Sequence, residues 1–195
     1  MKIAIIDYKA GNTRSVQFAL ERLGVSAVLT KDPTLLAAAD KVIFPGVGEA
    51  RSAMTYLKKE GLDLAIKNLV QPVLGICLGM QLLCAFSEEG NVEGLNIFPA
   101  RVKRFIPHPN LKVPHIGWNT LTCNSVPLLA GIPMDSYAYF VHSYYVELGA
   151  YTIATCSYGG NFSAALQKDN FYATQFHPEK SNQIGMQILK NFLAL

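Results

Sequence analysis

The chain has 195 residues, of which 50% are hydrophobic and 16% are charged, and its formal net charge is +3. This length and balance are typical of one compact domain, residues 1–195, with a sizeable hydrophobic core. The sequence has no run of eighteen apolar residues and no signal-peptide pattern after Met1, so we expect no membrane segment and a cytoplasmic protein.

The four cysteines lack the paired spacing of a zinc site or a disulfide framework, which favours a reducing cytoplasm. We predict no metal and no cofactor. The densest basic cluster, Arg101, Lys103 and Arg104, alternates like the solvated face of a strand. We therefore predict no binding to nucleic acid.

The first half of the chain alternates short apolar runs with segments of helical spacing. The predicted strands are residues 2–7, 25–30, 41–44 and 73–76. The predicted helices are residues 12–24, 32–39, 49–60 and 62–69. Strands that alternate with helices indicate a parallel sheet that is covered on both faces.

The second half of the chain is strand-rich, with little helix between its apolar runs. The predicted strands here are residues 95–105, 138–146, 151–157, 162–167 and 171–176, and an amphipathic helix is predicted over residues 182–195. The predicted fold class is therefore α/β: a flavodoxin-like, mostly parallel sheet flanked by helices, with an antiparallel extension in the C-terminal half.

A thiol lies between a predicted strand and a helix, in Gly75-Ile76-Cys77-Leu78-Gly79. Two glycines four positions apart let the backbone turn sharply, as Gly-x-Ser-x-Gly does around the serine of α/β hydrolases. The N-terminus of the following helix favours thiolate over thiol. Cys77 is thus a candidate nucleophile, and the alternative is an ordinary small buried cysteine.

A candidate base and its orienting acid follow the last predicted strand, in Phe176-His177-Pro178-Glu179. Residues i and i+2 of an extended segment project to one side, so the Glu179 carboxylate could hold one ring nitrogen of His177. Strand ends of a parallel sheet bring distant residues together, which places His177 near Cys77. The alternative is a surface turn.

An anion that forms during acyl transfer needs donors already in place. The N–H of Leu78, directly after the nucleophile, is one candidate, and the Pro45-Gly46-Val47-Gly48 loop after the third predicted strand should supply a second. A plain strand-to-helix loop is the alternative. The loop lacks the residues of a P-loop or a dinucleotide fold, so we do not predict nucleotide binding.

Four segments together resemble the class I glutamine amidotransferases, over most of the chain: residues 45–48, 75–81, 140–145 and 175–180. The resemblance implies a Cys77, His177 and Glu179 triad that hydrolyses glutamine. It also implies an oxyanion hole at Gly46, Val47 and Leu78. The implied glutamine-binding residues are Gly48, Gly79, Gln81, Ser143 and Tyr144. Gln81 lies one helical turn past Cys77, which fits this role.

Within that class, residues 77–81, 114–119 and 176–181 are most similar to the glutaminase subunits of imidazole glycerol phosphate synthases. This similarity implies a heterodimer with a (βα)₈-barrel cyclase subunit, which receives the ammonia. It also implies a docking surface at Pro114, His115, Trp118 and Asn119. Trp is a common interface anchor, and a buried core Trp is the alternative.

These residues support the hypothesis that Cys77 attacks the side-chain amide of glutamine while His177 moves the proton. A rotation of the Pro45–Gly48 loop could couple this step to the partner. Other hypotheses stay open: a glutaminase for another synthase, a stand-alone thiol hydrolase, a catalytically idle interaction subunit, and an FMN-binding flavodoxin-like protein. His115 and His142 fit a structural role better than a catalytic one.

Overall fold

A computed structural model describes residues 1–9, 11–109 and 111–195. The strands are β1 Ile3–Ile6, β2 Ala27–Thr30, β3 Lys41–Phe44, β4 Val73–Ile76, β5 Cys84–Ser87, β6 Val92–Glu93, β7 Phe98–Arg104, β8 His115–Cys123, β9 Ser136–His142, β10 Tyr144–Val146, β11 Thr152–Ser157, β12 Asn161–Lys168 and β13 Phe171–Thr174. The helices are α1 Thr13–Arg22, α2 Pro33–Ala37, α3 Ala50–Lys59, α4 Leu62–Lys67, α5 Leu78–Leu83 and α6 Asn182–Ala194. Short 3₁₀ turns cover Pro127–Leu129 and Pro178–Lys180.

The part of the sheet that carries the candidate site runs in the order β2-β1-β3-β4-β13, with every neighbouring pair parallel. All these strands therefore end at the same edge. The last registered pair of β4 and β13 is Ile76 with Thr174, so Cys77 and Gln175 leave the sheet at the same level. This register explains how residues about a hundred positions apart come to share one site.

Helices cover both faces of this parallel sheet. On one face, Met54 of α3 and Ile66 of α4 pack with Phe44 of β3. On the other face, Leu20 of α1 and Phe192 of α6 pack in a second apolar cluster. Successive residues of a strand point to opposite faces, which is why the buried strands are apolar throughout.

The second half of the chain extends the sheet with antiparallel strands. β12 pairs with β13, β11 and β10, and β8 pairs with β9 and β11. The predicted α/β class and the antiparallel extension are confirmed. Within the described ranges, no helix combines the length and the apolarity that crossing a bilayer requires.

Several predicted bounds are wrong in the second half. Residues 138–146 form two strands rather than one, because the chain changes partner at Ser143: β9 pairs with β8, whereas β10 pairs with β7 and β12. The strand β8 was not predicted, since Gly117 (φ 132°) interrupts its alternation. The short β5 and β6 also lack a clear periodic pattern.

Candidate active site

Cys77 lies on a sharp turn between β4 and α5, as predicted. Its φ of 53° and ψ of −107° are unusual for a residue with a side chain, and its N–H donates to the carbonyl of Thr174 at 2.8 Å. A Cβ at Gly75 would lie 2.8 Å from Leu83 Cδ1, and one at Gly79 would lie 1.8 Å from the carbonyl oxygen of Phe44. Both glycines are therefore required by close packing around the turn.

The imidazole of His177 is bound to the carboxylate of Glu179, with 2.7 Å between Nδ1 and Oε1. Both side chains are completely buried. The predicted contact is present, but its geometric basis is different: Glu179 lies in the 3₁₀ turn Pro178–Lys180 and not in an extended segment. Because Nδ1 donates to the carboxylate, Nε2 is the nitrogen left to act on a thiol.

Asn12 completes this arrangement, although the sequence analysis did not identify it. Its side-chain amide donates a short hydrogen bond to Oε1 of Glu179 and lies 3.3 Å from Nδ1 of His177. Asn12 directly precedes α1, in the loop after β1, so it reaches the site from a strand end like the other site residues. An asparagine beside a glycine in a loop has no distinctive sequence signal.

The electrostatics of the site couple His177 to Cys77. Burial lowers the pKa of His177, but the nearby Cys77, the hydrogen bond to Glu179 and the charges of both groups outweigh it and raise the pKa to about 10. Nε2 of His177 has no hydrogen-bond partner among the described residues, so the thiol and the imidazole are near each other without a formed hydrogen bond. The sulfur of Cys77 also contacts the Val141 carbonyl at 3.8 Å and the Gln175 amide at 3.7 Å. The imidazolium form of His177 is therefore favoured when the thiolate is present.

The predicted oxyanion donor is occupied in this structure. The N–H of Leu78 donates to the carbonyl of Gly46 at 3.3 Å, so it is not free to bind an anion. Gly46 and Val47 belong to the oxyanion loop, a name used here for residues 45–48 between β3 and α3. Gly48, with φ of 131°, gives this loop a conformation that other residues rarely adopt.

A cavity of about 280 Å³ is lined by Cys77. The predicted glutamine-binding residues Gly48, Gln81, Ser143 and Tyr144 line it. Gly79 is not among the described lining residues and packs against the backbone of Phe44, so its contact with substrate stays a prediction. The Gln81 amide donates to the Tyr144 carbonyl and to the Gln175 side chain, each at 2.9 Å.

Glu89 also lines this cavity, and the sequence analysis missed it. Its carboxylate accepts the N–H of Ala50 at 2.9 Å. Burial raises the pKa of Glu89, and the hydrogen bond from Ala50 partly opposes this. Glu89 follows the short strand β5, which has no clear periodicity, so nothing local in the sequence indicated a cavity residue.

The predicted docking residues divide between surface and interior. Trp118 has 46% of its surface exposed, which removes the alternative of a core tryptophan. His115 is only 3% exposed and stacks on Tyr158 with 3.9 Å between ring centroids, so its prediction as a surface residue is wrong. Pro114 lines the cavity beside Cys77, and Asn119 is partly exposed next to Trp118.

His115 and His142 form a buried hydrogen-bonded pair, as expected for structural histidines. His142 Nδ1 donates to the Tyr144 carbonyl at 2.7 Å, and its Nε2 lies 3.0 Å from Nδ1 of His115. Burial lowers the pKa of His115 to about 4. Burial, with the nearby histidine charges, lowers the pKa of His142 to about 3 against the effect of the Tyr144 carbonyl. Both rings are therefore neutral near pH 7.

A larger open groove, with a volume of about 900 Å³, is lined in part by Trp118. Tyr137 and Lys180 line it together with Glu179, so one wall of the groove backs onto the His177 and Glu179 pair. Tyr137 is 60% exposed and Ile116, near Trp118 on β8, is also 60% exposed. An exposed apolar and aromatic surface therefore adjoins the candidate site.

The chain matches known proteins over its whole length. The family model for glutamine amidotransferase class-I matches residues 4–195. An imidazole glycerol phosphate synthase subunit HisH from Bacteroides fragilis strain YCH46 is 61% identical over 196 residues, covering all of both chains. The HisH subunit from Haemophilus influenzae strain Rd is 48% identical and covers 99% of this chain and 97% of that one.

The fold also matches solved structures. A crystal structure of a glutamine amidotransferase superimposes with a TM-score of 0.75, covering 98% of this chain and 97% of that one. The identity in this pair is 18%, so the match concerns the fold alone.

Proposed function

This chain belongs to the class I glutamine amidotransferases, and on that premise we propose that it is the glutaminase subunit of an imidazole glycerol phosphate synthase. It hydrolyses glutamine to glutamate and ammonia and passes the ammonia to a cyclase subunit. The cyclase makes imidazole glycerol phosphate and an aminoimidazole carboxamide ribotide. The high identity to HisH subunits supports this choice of synthase.

One observation carries the proposed chemistry: a cysteine, a histidine and a glutamate converge at one edge of the parallel sheet. His177 is held by Glu179 at 2.7 Å, and its pKa responds to the charge of Cys77. A cavity of about 280 Å³ is lined by Cys77. A thiol, a base and an orienting acid next to a cavity are the elements that nucleophilic acyl transfer needs.

In the first half of the reaction, the sulfur of Cys77 attacks the side-chain carbonyl carbon of glutamine. His177 takes the thiol proton at Nε2 and then gives a proton to the leaving nitrogen, so ammonia departs and a γ-glutamyl thioester remains. In the second half, water attacks the thioester while His177 removes one of its protons. The bond to sulfur breaks, His177 returns the proton to the leaving sulfur, and glutamate is released.

Recognition of glutamine follows from the charges around the cavity. Glu89 is a lining carboxylate and is suited to the α-ammonium group of the substrate. Ser143 and Tyr144, where the chain passes from β9 to β10, are placed to hold the α-carboxylate. Gln81 is held by two hydrogen bonds and shapes the wall between them.

The partner is a (βα)₈-barrel cyclase that covers the exposed surface around Trp118. Ammonia is mostly protonated near neutral pH and only its neutral form is a nucleophile, so direct transfer to the acceptor site is an advantage. Trp118, Tyr137 and Ile116 are exposed apolar groups next to the groove behind Glu179. Aromatic side chains of this kind are frequent anchors in protein interfaces.

Partner binding also activates the glutaminase. The Leu78 N–H is engaged by the Gly46 carbonyl, so the resting site lacks this donor for the oxyanion. Rotation of the peptide between Gly46 and Val47 would free Leu78 and turn the Val47 N–H toward the substrate. We propose that the liganded cyclase favours this rotated state, and that turnover is low without it.

The decisive experiment measures glutamate and imidazole glycerol phosphate together. The subunit is incubated with glutamine, alone and with the cyclase and its nucleotide substrate. We expect turnover to rise strongly in the complex, and Cys77→Ala to abolish glutamine use while ammonia-dependent synthesis persists. Equal glutaminase activity with and without the cyclase would contradict the activation and favour a stand-alone hydrolase. Imidazole glycerol phosphate formation that never depends on glutamine would contradict the proposal as a whole.

A further inference from the structure

Tyr8 is a buried residue that the proposed mechanism does not yet use. It follows β1, is 3% exposed, and packs edge-to-face on Phe44 with 5.1 Å between ring centroids. Its hydroxyl has no hydrogen-bond partner among the residues that the structure describes. Because an unsatisfied buried hydroxyl is destabilising, this atom is expected to find a partner in another state of the protein.

The hydroxyl of Tyr8 lies directly against the oxyanion loop. A Cβ built on Gly46 would be 1.9 Å from this oxygen, which places it in contact with the Gly46 backbone. Tyr8 is also close to the nucleophile. Burial raises the pKa of Tyr8 well above its usual value, and the negative charge of Cys77 raises it further. Tyr8 therefore stays protonated and can act as a hydrogen-bond donor at neutral pH.

A cavity with a volume of about 270 Å³ lies on the Tyr8 side of the oxyanion loop. Val47, Gly48 and Leu78 line this cavity as well as the one beside Cys77. The oxyanion loop therefore lies between the two cavities. The cavity on the Tyr8 side gives space for the rotation of the peptide between Gly46 and Val47 that the proposed activation requires.

We propose that Tyr8 is a positioning residue for the active form of the oxyanion loop: its hydroxyl donates to the Gly46 carbonyl once the peptide between Gly46 and Val47 has rotated. This inference rests on the proposed function and deepens it. In the exchange, the Gly46 oxygen loses the Leu78 N–H and gains the Tyr8 O–H. The carbonyl stays satisfied, and the Leu78 N–H becomes available to the oxyanion.

The test compares wild type with Tyr8→Phe in the complex with the cyclase and its nucleotide substrate. We expect the stimulated kcat for glutamine to fall about tenfold, because the active loop loses one hydrogen bond, and KM for glutamine to stay within about twofold. The melting temperature of the isolated variant should equal or exceed that of wild type, since Tyr8→Phe removes an unsatisfied hydroxyl. A merely structural role predicts a lower melting temperature instead.

Tyr56→Phe is the matched control. Tyr56 lines the same cavity, but its hydroxyl interacts with Lys31, so its removal should leave the stimulated kcat unchanged. Full stimulated kcat in Tyr8→Phe, or a loss accompanied by a lower melting temperature, would overturn the inference. Wild type that is not stimulated by the cyclase would instead overturn the activation under the proposed function, so the two failures are distinguishable.

Discussion

The main-chain nitrogen of Leu78 lies 3.3 Å from the carbonyl oxygen of Gly46, and this hydrogen bond occupies the donor that an oxyanion would need. Cys77 and the hydrogen-bonded pair of His177 and Glu179 lie at the same edge of the sheet. The structure therefore brings the proposed triad residues to one edge of the sheet while the proposed oxyanion donor, the Leu78 N–H, is engaged by Gly46. Under the proposed function, freeing the Leu78 N–H requires a change in residues 45–48 and not in the fold.

Gly46→Ala should destabilise the protein through a clash with one identified atom. The new Cβ would lie 1.9 Å from the Tyr8 hydroxyl, whereas its next contacts are at 3.1 Å. We expect the free energy of unfolding to fall by about 1–3 kcal/mol in urea denaturation. Gly46→Ala combined with Tyr8→Phe should recover most of this loss, because the clashing oxygen is gone.

The double-mutant cycle gives this prediction its sharp form. A coupling free energy of about 1 kcal/mol or more is expected between positions 8 and 46. Strictly additive effects of the two substitutions would show that the hydroxyl does not lie where the structure has it.

Removing the amide of Asn12 should weaken catalysis through Glu179. Asn12→Ala deletes a donor to the carboxylate that orients His177, and we expect kcat to fall about tenfold with little change in KM. Glu179→Gln should cost more than a hundredfold, because the imidazolium loses its counter-charge. Steady-state glutamine hydrolysis in the complex measures both effects. An unchanged kcat in Asn12→Ala would show that Asn12 does not contribute to catalysis.

Gly79→Ala should be one of the most damaging small substitutions in the chain. The added methyl would lie 1.8 Å from the Phe44 carbonyl oxygen, a backbone atom that cannot move aside as a flexible side chain could. We expect a loss of more than about 3 kcal/mol in unfolding free energy, or failure to fold. Gly149→Ala is the control, since its Cβ would meet nothing within 4 Å, and it should change stability by less than about 0.5 kcal/mol.

Stability should fall in mild acid because of the buried histidine pair. The folded-state pKa values of His115 and His142, about 4 and about 3, lie below the unfolded value of 6.5. Between pH 6 and pH 4.5 the unfolded chain therefore binds more protons, which favours unfolding. We expect the free energy of unfolding to fall by about 1–4 kcal/mol across this window, measured by urea denaturation.

The contribution of His177 to the free energy of unfolding depends on pH in the opposite direction. Its pKa is raised, so its contribution is already nearly full below pH 6 and is lost only as the pH rises toward about 10. The double variant His115→Gln with His142→Gln should therefore lose less unfolding free energy between pH 6 and pH 4.5 than wild type does. If the unfolding free energy of that variant depends on pH as steeply as that of wild type, the loss of stability in acid is due to carboxylates instead.

Much of the parallel half of the fold could be predicted from local sequence. β3 and β4 have the predicted bounds, since short and largely apolar runs between turns have few alternatives. β8 was missed because Gly117 disturbs its alternation, and its antiparallel partner, β9, lies about twenty residues further along the chain. Long-range pairing of this kind leaves little local signal.

The sequence alone determined the chemistry that the chain carries: a thiol on a glycine-flanked turn, a His-Pro-Glu segment after a strand, and a glycine-rich loop after another. These are local features, because they depend on residue types and short spacings. The tertiary structure decided which of these groups meet and in what state. The burial of His115, the supporting donor Asn12, the cavity carboxylate Glu89 and the occupied Leu78 N–H all depend on contacts between distant segments, and such contacts arise only when the sheet and its helices pack together.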